Sequence, residues 1–185
     1  MQRFAHSLLS AIAIVGISSV ANAQHHGAHA QHDQAVRHGQ HTPYAGLQKR
    51  DIKALSEQQV SDLRAGRGIS LALPAELNGY PGPAHSLELA DELGLSAEQR
   101  SKTQALFDQM QQEAKALGEE VILAERDLDR LFRDKRVVPE SLASATSRAA
   151  AAQGRLRESH LRYHLAMMAV LSPGQVAEYN RLRGY

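Results

Sequence analysis

The sequence predicts an all-α protein whose core is one long antiparallel helical hairpin with short flanking helices. A short motif, Leu-Ser-x-x-Gln, occurs three times and marks helix starts, and two long stretches carry apolar residues at helical spacing. Runs in which apolar and polar residues alternate, which indicate half-buried strands, are absent from the sequence. We therefore expect helices alone.

Each copy of the motif predicts the first turn of a helix. The serine hydroxyl caps free backbone N–H groups of that turn, and the glutamine three residues later accepts a hydrogen bond from the serine N–H, which completes a capping box. The preceding leucine can pack one turn into the helix, as Leu55 on Val60 and Leu171 on Val176. The copies occupy residues 55–59, 95–99 and 171–175.

Short elements precede the hairpin. The first predicted helix covers about residues 56–64, and a loop with a strong turn signal at residues 78–83 follows it. Another short helix is predicted at about residues 84–93. Residues 43–94 therefore form an N-terminal region of short helices and loops.

The hairpin core, residues 95–185, contains two long helices. The first runs to about Lys135, because Pro139 prevents its continuation; the second covers about residues 140–170, and a last helix begins at Ser172. Heptad-like spacing relates the apolar residues of the first helix, Leu106, Met110, Leu117, Val121, Ala124, Leu128 and Leu131, and of the second, Leu142, Ala149, Leu156, Tyr163 and Val170. Because two helices enclose a thin core, we expect a homodimer.

Residues 1–23 have the pattern of a secretory signal peptide. Arg3 begins a weakly basic head, residues 8–20 are almost wholly apolar, and residues 21–23 read Ala-Asn-Ala, a small-x-small cleavage site. The apolar run is shorter than the roughly 20 residues that a membrane helix requires. We predict an exported chain that does not span the membrane after cleavage, with an uncleaved anchor as the alternative.

Residues 24–42 are rich in His, Gln, Ala and Gly and show no apolar periodicity, so the sequence predicts a flexible, disordered tail. Six of the ten histidines lie in this tail: His25, His26, His29, His32, His38 and His41. Imidazole binds zinc, copper and nickel, and a solvated linker is the alternative. Cleavage after residue 23 would also make His26 the third residue, which suits a square-planar Cu(II) or Ni(II) site.

Composition excludes several function classes. The chain has no cysteine, which rules out disulfides, thiolate zinc fingers, iron–sulfur clusters and cysteine nucleophiles. Its 21 basic and 20 acidic residues argue against a nucleic-acid partner, which requires a dense basic face. The sequence contains no phosphate-binding loop, nucleophile elbow or His-Glu-x-x-His motif, so we predict neither enzymatic activity nor an organic cofactor.

A second group of candidate metal ligands lies near the end of the second long helix. His160 and His164 fall on the same helical side as Leu156 and Met167, so both imidazoles are predicted to lie on the packed face. Such a pair can chelate one ion, with Met168 as a soft ligand one turn past His164. The alternative is a pair of partly buried histidines that bond to carboxylates or backbone.

Other polar groups are assigned to solvated surfaces. His85 lies at a predicted helix start with Glu88 three residues on, and we expect this pair to be solvated rather than to coordinate a metal. The carboxylates between residues 119 and 129 are interspersed with arginines, a pattern typical of a solvated helix face.

The export signal, the hairpin and the Leu-Ser-x-x-Gln motifs that bracket it resemble the Spy/CpxP-type periplasmic proteins. The resemblance covers about residues 48–185 and rests mainly on residues 95–99 and 171–175. It implies a periplasmic location and a curved antiparallel dimer that cradles unfolded clients. Relatives include zinc-associated periplasmic chaperones and nickel/cobalt sensors, and the sensor branch binds metal and controls signalling.

The sensor branch carries His-x-x-x-Met just before the last motif, and His164 and Met168 occupy that position here. The resemblance therefore implies that these two residues bind metal. The chain also departs from the sensors, which are commonly membrane-anchored. Residues 25–41 do not align with the N-terminal ligands of the sensors, and residues 51–83 have no counterpart.

Together these observations predict an exported, non-enzymatic, metal-associated stress protein with chaperone-like capacity. A dimeric cradle would hold unfolded or aggregation-prone periplasmic proteins, while the tail binds zinc, copper or nickel. The alternative is a periplasmic metal sensor or carrier that acts through a membrane signalling partner. A third alternative is a structural coiled coil whose histidines are solvated.

Overall fold

The hairpin predicted from the sequence dominates the fold. The computed structural model describes residues 44–185, which contain six α-helices, a 3-10 helix at Leu47–Lys49 and no strand. The α-helices are α1 (Glu57–Arg64), α2 (Leu73–Glu76), α3 (Pro83–Glu88), α4 (Ala97–Arg133), α5 (Pro139–Met167) and α6 (Pro173–Arg183). The all-α class is confirmed. The predicted signal peptide and histidine-rich tail lie outside the described residues.

All three predicted capping boxes form, and each begins a helix. Ser56, Ser96 and Ser172 cap α1, α4 and α6, and each hydroxyl accepts from the backbone N–H three residues later at 3.1 to 3.3 Å. The glutamine at that third position accepts from the serine N–H at 2.8 to 3.0 Å. Because every one of these bonds is local, the motif specifies the helix start by itself.

α4 and α5 form the two arms of the hairpin. We call its closed turn, with the flanking residues 130–142, the tip, and the opposite end, where α4 begins and α5 ends, the base. Both arms are far longer than the other helices, at 37 and 29 residues. No helix within residues 44–185 is both long enough and apolar enough to cross a membrane.

N-terminal residues cover one face of the hairpin. Ile52 and Leu63 are buried in one core cluster with Ile122 and Leu156 of the two arms. α1 packs closely on α4 at Gly118, where a Cβ would lie 2.9 Å from the carbonyl carbon of Leu63 and nearer still to its oxygen. The absence of a side chain at Gly118 therefore sets how closely these two helices pack.

A second core cluster closes the base. Leu95, Met167, Leu171 and Tyr179 are buried there, and Tyr179 of α6 is wholly inaccessible to solvent. The leucines of the second and third motifs thus belong to the core as well as to the helix starts. Burial of these side chains fixes α6 against the beginning of α4.

The glutamines of the second and third capping boxes bond to each other across the base. Gln99 donates through Nε2 to Gln175 Oε1 at 2.8 Å, and Gln175 donates through Nε2 to Gln99 Oε1 at 3.1 Å. Gln99 also donates to the carbonyl of Val170 at 2.9 Å, and Gln175 to that of Leu93 at 3.2 Å. The two motifs are therefore one hydrogen-bonded unit that joins α4 to α6.

The structure corrects the sequence prediction for the segment before the hairpin. The sequence predicts a loop where α2 forms, because a helix of four residues that starts at Leu73-Pro74 is too short to show periodicity. α3 ends at Glu88 rather than near residue 93. Residues 89–94 instead form turns, which carry Leu93 into the base cluster.

Two further corrections concern α5. It ends at Met167 rather than near residue 170, because the chain turns over the next residues to reach the capping serine of α6. Leu142, expected on the packed stripe, is 38 % exposed. It lies at the tip, beyond the part of the hairpin that the N-terminal residues cover.

Candidate functional site

A cavity of about 300 Å³ lies between the segment that carries α2 and α3 and the two arms of the hairpin. All three histidines of the described residues, His85, His160 and His164, line it. They come from α3 and α5, together with Glu76 of α2 and Met110 of α4. The cavity therefore gathers imidazole, carboxylate and thioether groups from four helices.

His164 is held in one orientation by the backbone. It is buried, and its Nδ1 lies 2.7 Å from the carbonyl oxygen of Tyr80, so Nδ1 is the nitrogen that donates. The lone pair is consequently on Nε2, the tautomer that a metal ligand uses. Gly82 faces this nitrogen, because a Cβ there would lie 3.0 Å from Nε2. The missing side chain leaves the Nε2 edge of the ring uncrowded.

His160 is the most deeply buried imidazole of the cavity. It is 3 % exposed, and its buried Nε2 has no hydrogen-bond partner within residues 44–185. Burial, and then the nearby His164, lower the pKa of His160, so its ring is neutral at pH 7. A neutral ring keeps a lone pair on one of its two nitrogens. Unpaired polar atoms in a core are costly, which makes this ring a candidate ligand.

Glu76 provides the only carboxylate of the cavity lining. Its Oε1 accepts four hydrogen bonds, from the Tyr179 hydroxyl at 2.5 Å, His85 Nδ1 at 3.2 Å, Arg183 Nε at 3.2 Å and the Tyr185 hydroxyl at 3.3 Å. Its buried Oε2 has no hydrogen bond from any described residue and lies 3.7 Å from His164 Nδ1. The two oxygens therefore have different surroundings, one saturated and one free.

The ionisation of Glu76 follows from these contacts. Burial alone would raise its pKa, but hydrogen bonds from His85 and Tyr179, with the adjacent imidazoles, lower the pKa to about 2. Glu76 is thus ionised at neutral pH, and Arg183 compensates its charge. This carboxylate links α2, α3 and α6 around the cavity.

Two successive residues at the cavity edge have an unusual backbone. Ile69 and Ser70 have φ angles of 40° and 65°, in the left-handed region that residues with a Cβ seldom adopt. Both line the cavity. Strain of this kind persists where surrounding structure imposes it and is common beside functional sites.

The described residues hold no preformed chelate of the usual type. Within residues 44–185, no three side chains among His, Asp and Glu are placed to hold one metal ion. The cavity offers instead pairs of such groups and the thioether of Met110. An orphaned buried nitrogen, an orphaned carboxylate oxygen and a fixed tautomer nevertheless fit a metal ion as the guest.

A family model described as heavy-metal resistance matches residues 70–178. The chain belongs to this heavy-metal resistance family. The family includes the Spy/CpxP-like helical proteins, so the resemblance drawn from the capping motifs is confirmed. No curated protein and no solved structure gives a significant match.

The family match includes most of the cavity lining, from Ser70 to His164, while Gly68 and Ile69 lie just before it. It begins at residue 70, so residues 70–83 do have a counterpart in the heavy-metal resistance family, contrary to the prediction for residues 51–83. Residues 51–69, which include α1, lie outside the match. α1 and its own capping motif are therefore additions relative to the matched region.

Only some of the predicted metal ligands lie in the cavity. His160 and His164 lie on the packed face as predicted and line one cavity. Met168 follows the end of α5, is 40 % exposed and is not part of the cavity lining, so its role as a ligand of the same ion stays a prediction. The six tail histidines lie outside the described residues.

Sequence reasoning missed Glu76, Tyr179 and the role of His85. The sequence predicts that His85 and Glu88 are both solvated, but His85 bonds to the buried Glu76. No periodic signal marks Glu76, since α2 is a single turn. The one available signal was the rarity of buried carboxylates: a glutamate flanked by Pro, Ala and Leu can be buried only if it finds partners.

Proposed function

We propose that this member of the heavy-metal resistance family is an exported protein that binds a transition-metal ion in the cavity described above. One observation supports this proposal most strongly: the only three histidines of residues 44–185 line a single cavity. Dispersed structural histidines would have no reason to converge. Imidazole suits zinc, copper and nickel, and the chain contains no cysteine that could bind these ions instead.

The residues divide the work of binding. His164 would present Nε2, with the Tyr80 carbonyl fixing its tautomer from the other side of the ring. His160 would contribute its unpaired nitrogen. Glu76 and His85 form a polar wall of the same cavity, with Glu76 Oε2 3.7 Å from His164 Nδ1, and α6 holds Glu76 in place through Tyr179.

Calorimetric titration of purified full-length protein with Zn(II), Ni(II) and Cu(II) tests this proposal. The protein should carry glutamine in place of the six tail histidines, so that only the cavity is measured. We expect one equivalent of metal for at least one of these ions. His164→Asn should lower the affinity at least tenfold, because asparagine can keep a donor toward Tyr80 while it removes the Nε2 ligand.

Arg157, exposed on the same helix, provides the matched control, and Arg157→Gln should leave the affinity unchanged. Circular dichroism should show that both variants remain folded. If none of the three ions binds, or if His164→Asn binds as tightly as its parent, cavity binding of these ions is refuted. Comparison with the unaltered tail then measures how much metal residues 24–42 bind.

A second candidate function, chaperone-like binding of unfolded clients, is supported by the tip. Large apolar side chains are exposed there, with Phe132 at 51 % and Val138 at 52 %. Contiguous exposed apolar groups are typical of interaction surfaces. We propose that unfolded exported proteins, or a second copy of the chain, contact this end.

An aggregation assay tests the chaperone proposal. The metal-free protein should suppress aggregation of a reduced model client, and the double variant Phe132→Ser, Val138→Ser should suppress it less. Equal suppression by both proteins would show that the tip does not bind the client. No suppression at any ratio of protein to client would refute the chaperone-like activity itself. Sedimentation of the same two proteins tests the predicted homodimer.

A further inference from the structure

The cavity contains a soft donor beside its two buried imidazoles. Met110 of α4 is 92 % buried by its neighbours, with only 8 % of its surface exposed, and it lines the same cavity as His160 and His164. A thioether is a poor ligand for hard ions and a good one for Cu(I) and similar soft ions. Because the chain has no cysteine, methionine is its only soft donor.

The number of available donors also favours soft ions. Zinc sites in proteins are almost always four-coordinate, and a structural zinc site uses four protein ligands. Within residues 44–185, no three His, Asp or Glu side chains are placed to share an ion. Two imidazoles and one thioether line the same cavity, and three donors are enough for Cu(I) and Ag(I), because these ions form stable two- and three-coordinate complexes.

The charge of the cavity points the same way. Glu76, its one carboxylate, is paired with Arg183 at 3.2 Å, and its Oε1 already accepts three other hydrogen bonds. The cost of desolvating an ion grows with the square of its charge, so a monovalent ion costs about a quarter as much to bury as a divalent ion of equal radius. A monovalent ion therefore needs less opposite charge from the protein to stabilise it.

We infer that the cavity selects a soft monovalent ion, Cu(I) or Ag(I), and binds it through His160, His164 and the thioether of Met110. This inference rests on the proposed metal-binding function and specifies the class of ion. It gives Met110 a role that neither the sequence pattern nor the family match assigns. Glu76 and His85 then act as the wall that positions the segment facing these ligands.

The test uses the full-length protein with glutamine at the six tail histidines. Cu(I) affinity is measured without oxygen against a chromophoric chelator, and Zn(II) affinity by calorimetry. Met110→Leu conserves side-chain volume and removes the sulfur. We expect Met110→Leu to lower Cu(I) affinity at least tenfold and to leave any Zn(II) affinity within twofold of the parent value.

Arg157→Gln, at an exposed residue outside the cavity lining, is the control and should leave Cu(I) affinity unchanged. Met168→Leu tests the alternative sulfur ligand that the sequence predicts; if Met110 is the ligand, Met168→Leu leaves Cu(I) affinity unchanged, because Met168 lies outside the cavity lining and is 40 % exposed. Ag(I) provides a redox-inert probe: on titration, the methyl resonance of Met110 should shift in a carbon–proton NMR spectrum, and the methyl resonance of Met168 should not. X-ray absorption at the copper edge should show a sulfur neighbour that disappears in Met110→Leu.

The outcomes separate this inference from the proposed function. One equivalent of Zn(II) bound more tightly than Cu(I), or Cu(I) bound without a sulfur neighbour, would overturn the soft-ion assignment and leave cavity binding intact. Loss of Cu(I) affinity in Met168→Leu but not in Met110→Leu would transfer the role to the exposed methionine. Absence of binding by Cu(I), Ag(I), Zn(II) and Ni(II) alike would overturn both.

Discussion

The covered part of the hairpin and its tip are built from the same two helices, yet apolar residues are buried in the covered part and exposed at the tip. Ile122 and Leu156, beneath α1 and its neighbours, are 0 % and 4 % exposed. Phe132 and Val138 at the tip are about half exposed. Two helices alone bury little apolar surface. The N-terminal residues that pack over the arms therefore determine where the core forms. The same segment brings Glu76 and His85 to the cavity.

The most damaging change to the covered region should be Gly118→Ala. Its new methyl group would overlap the Leu63 backbone, so α1 must move away from α4. We expect the free energy of unfolding to fall by about 2 kcal/mol, as overpacking of a core commonly costs 1–3 kcal/mol and alanine returns up to about 1 kcal/mol of helix propensity. Urea unfolding followed by circular dichroism measures this loss.

Gly154→Ala is the control for that experiment. Gly154 lies inside α5, exposed, and a Cβ there meets no atom within 4 Å. Alanine should therefore raise the free energy of unfolding by about 0.5–1 kcal/mol through helix propensity alone. If both substitutions stabilise the protein, α1 is not docked on α4 as described.

The second largest effect is expected from Tyr179→Phe. This change keeps the ring that fills the base and removes the hydroxyl that donates to Glu76 at 2.5 Å. Hydrogen bonds to charged groups contribute about 1.5–3 kcal/mol. We expect a loss of about 1.5 kcal/mol in urea unfolding, at the lower end of that range, because Glu76 Oε1 keeps three other donors. Tyr185→Phe removes a longer bond, 3.3 Å, from an exposed residue, and should cost less than about 1 kcal/mol. Equal losses would contradict a buried network centred on Tyr179.

Local contacts of this fold can be predicted from the sequence, whereas long-range contacts cannot. Every bond of a capping box joins residues three apart, so Ser96 and Gln99 specify their turn wherever the chain folds. The bond between Tyr179 and Glu76 joins residues 103 apart, and no local pattern encodes it. The periodicity of α5 correctly placed His160 and His164 on the packed face, but periodicity describes one helix and says nothing of which segment will lie opposite.

The paired motifs at the base offer a milder test. Gln175→Ala removes a capping bond and also the bonds to Gln99 and Leu93, whereas Gln59→Ala in the first motif removes a capping bond only. We expect losses of about 1–2 kcal/mol for Gln175→Ala and about 0.5 kcal/mol for Gln59→Ala. The difference, measured by urea unfolding, isolates the link between the two boxes. Identical losses would show that the link adds no stability.

The smallest effect on stability is expected from a substitution at the tip. This substitution distinguishes apolar residues that stabilise the fold from apolar residues that contact another chain. Phe132→Gln replaces a half-exposed ring near the end of α4, and glutamine has at least as high a helix propensity as phenylalanine. We expect the free energy of unfolding to change by no more than about 0.5 kcal/mol, the range for surface substitutions. A loss above 1.5 kcal/mol would mean that the ring belongs to the core. If the free energy of unfolding is unchanged but self-association or client binding is weakened, the apolar residues of the tip serve contact with another chain. The fold of the chain itself gains little stability from them.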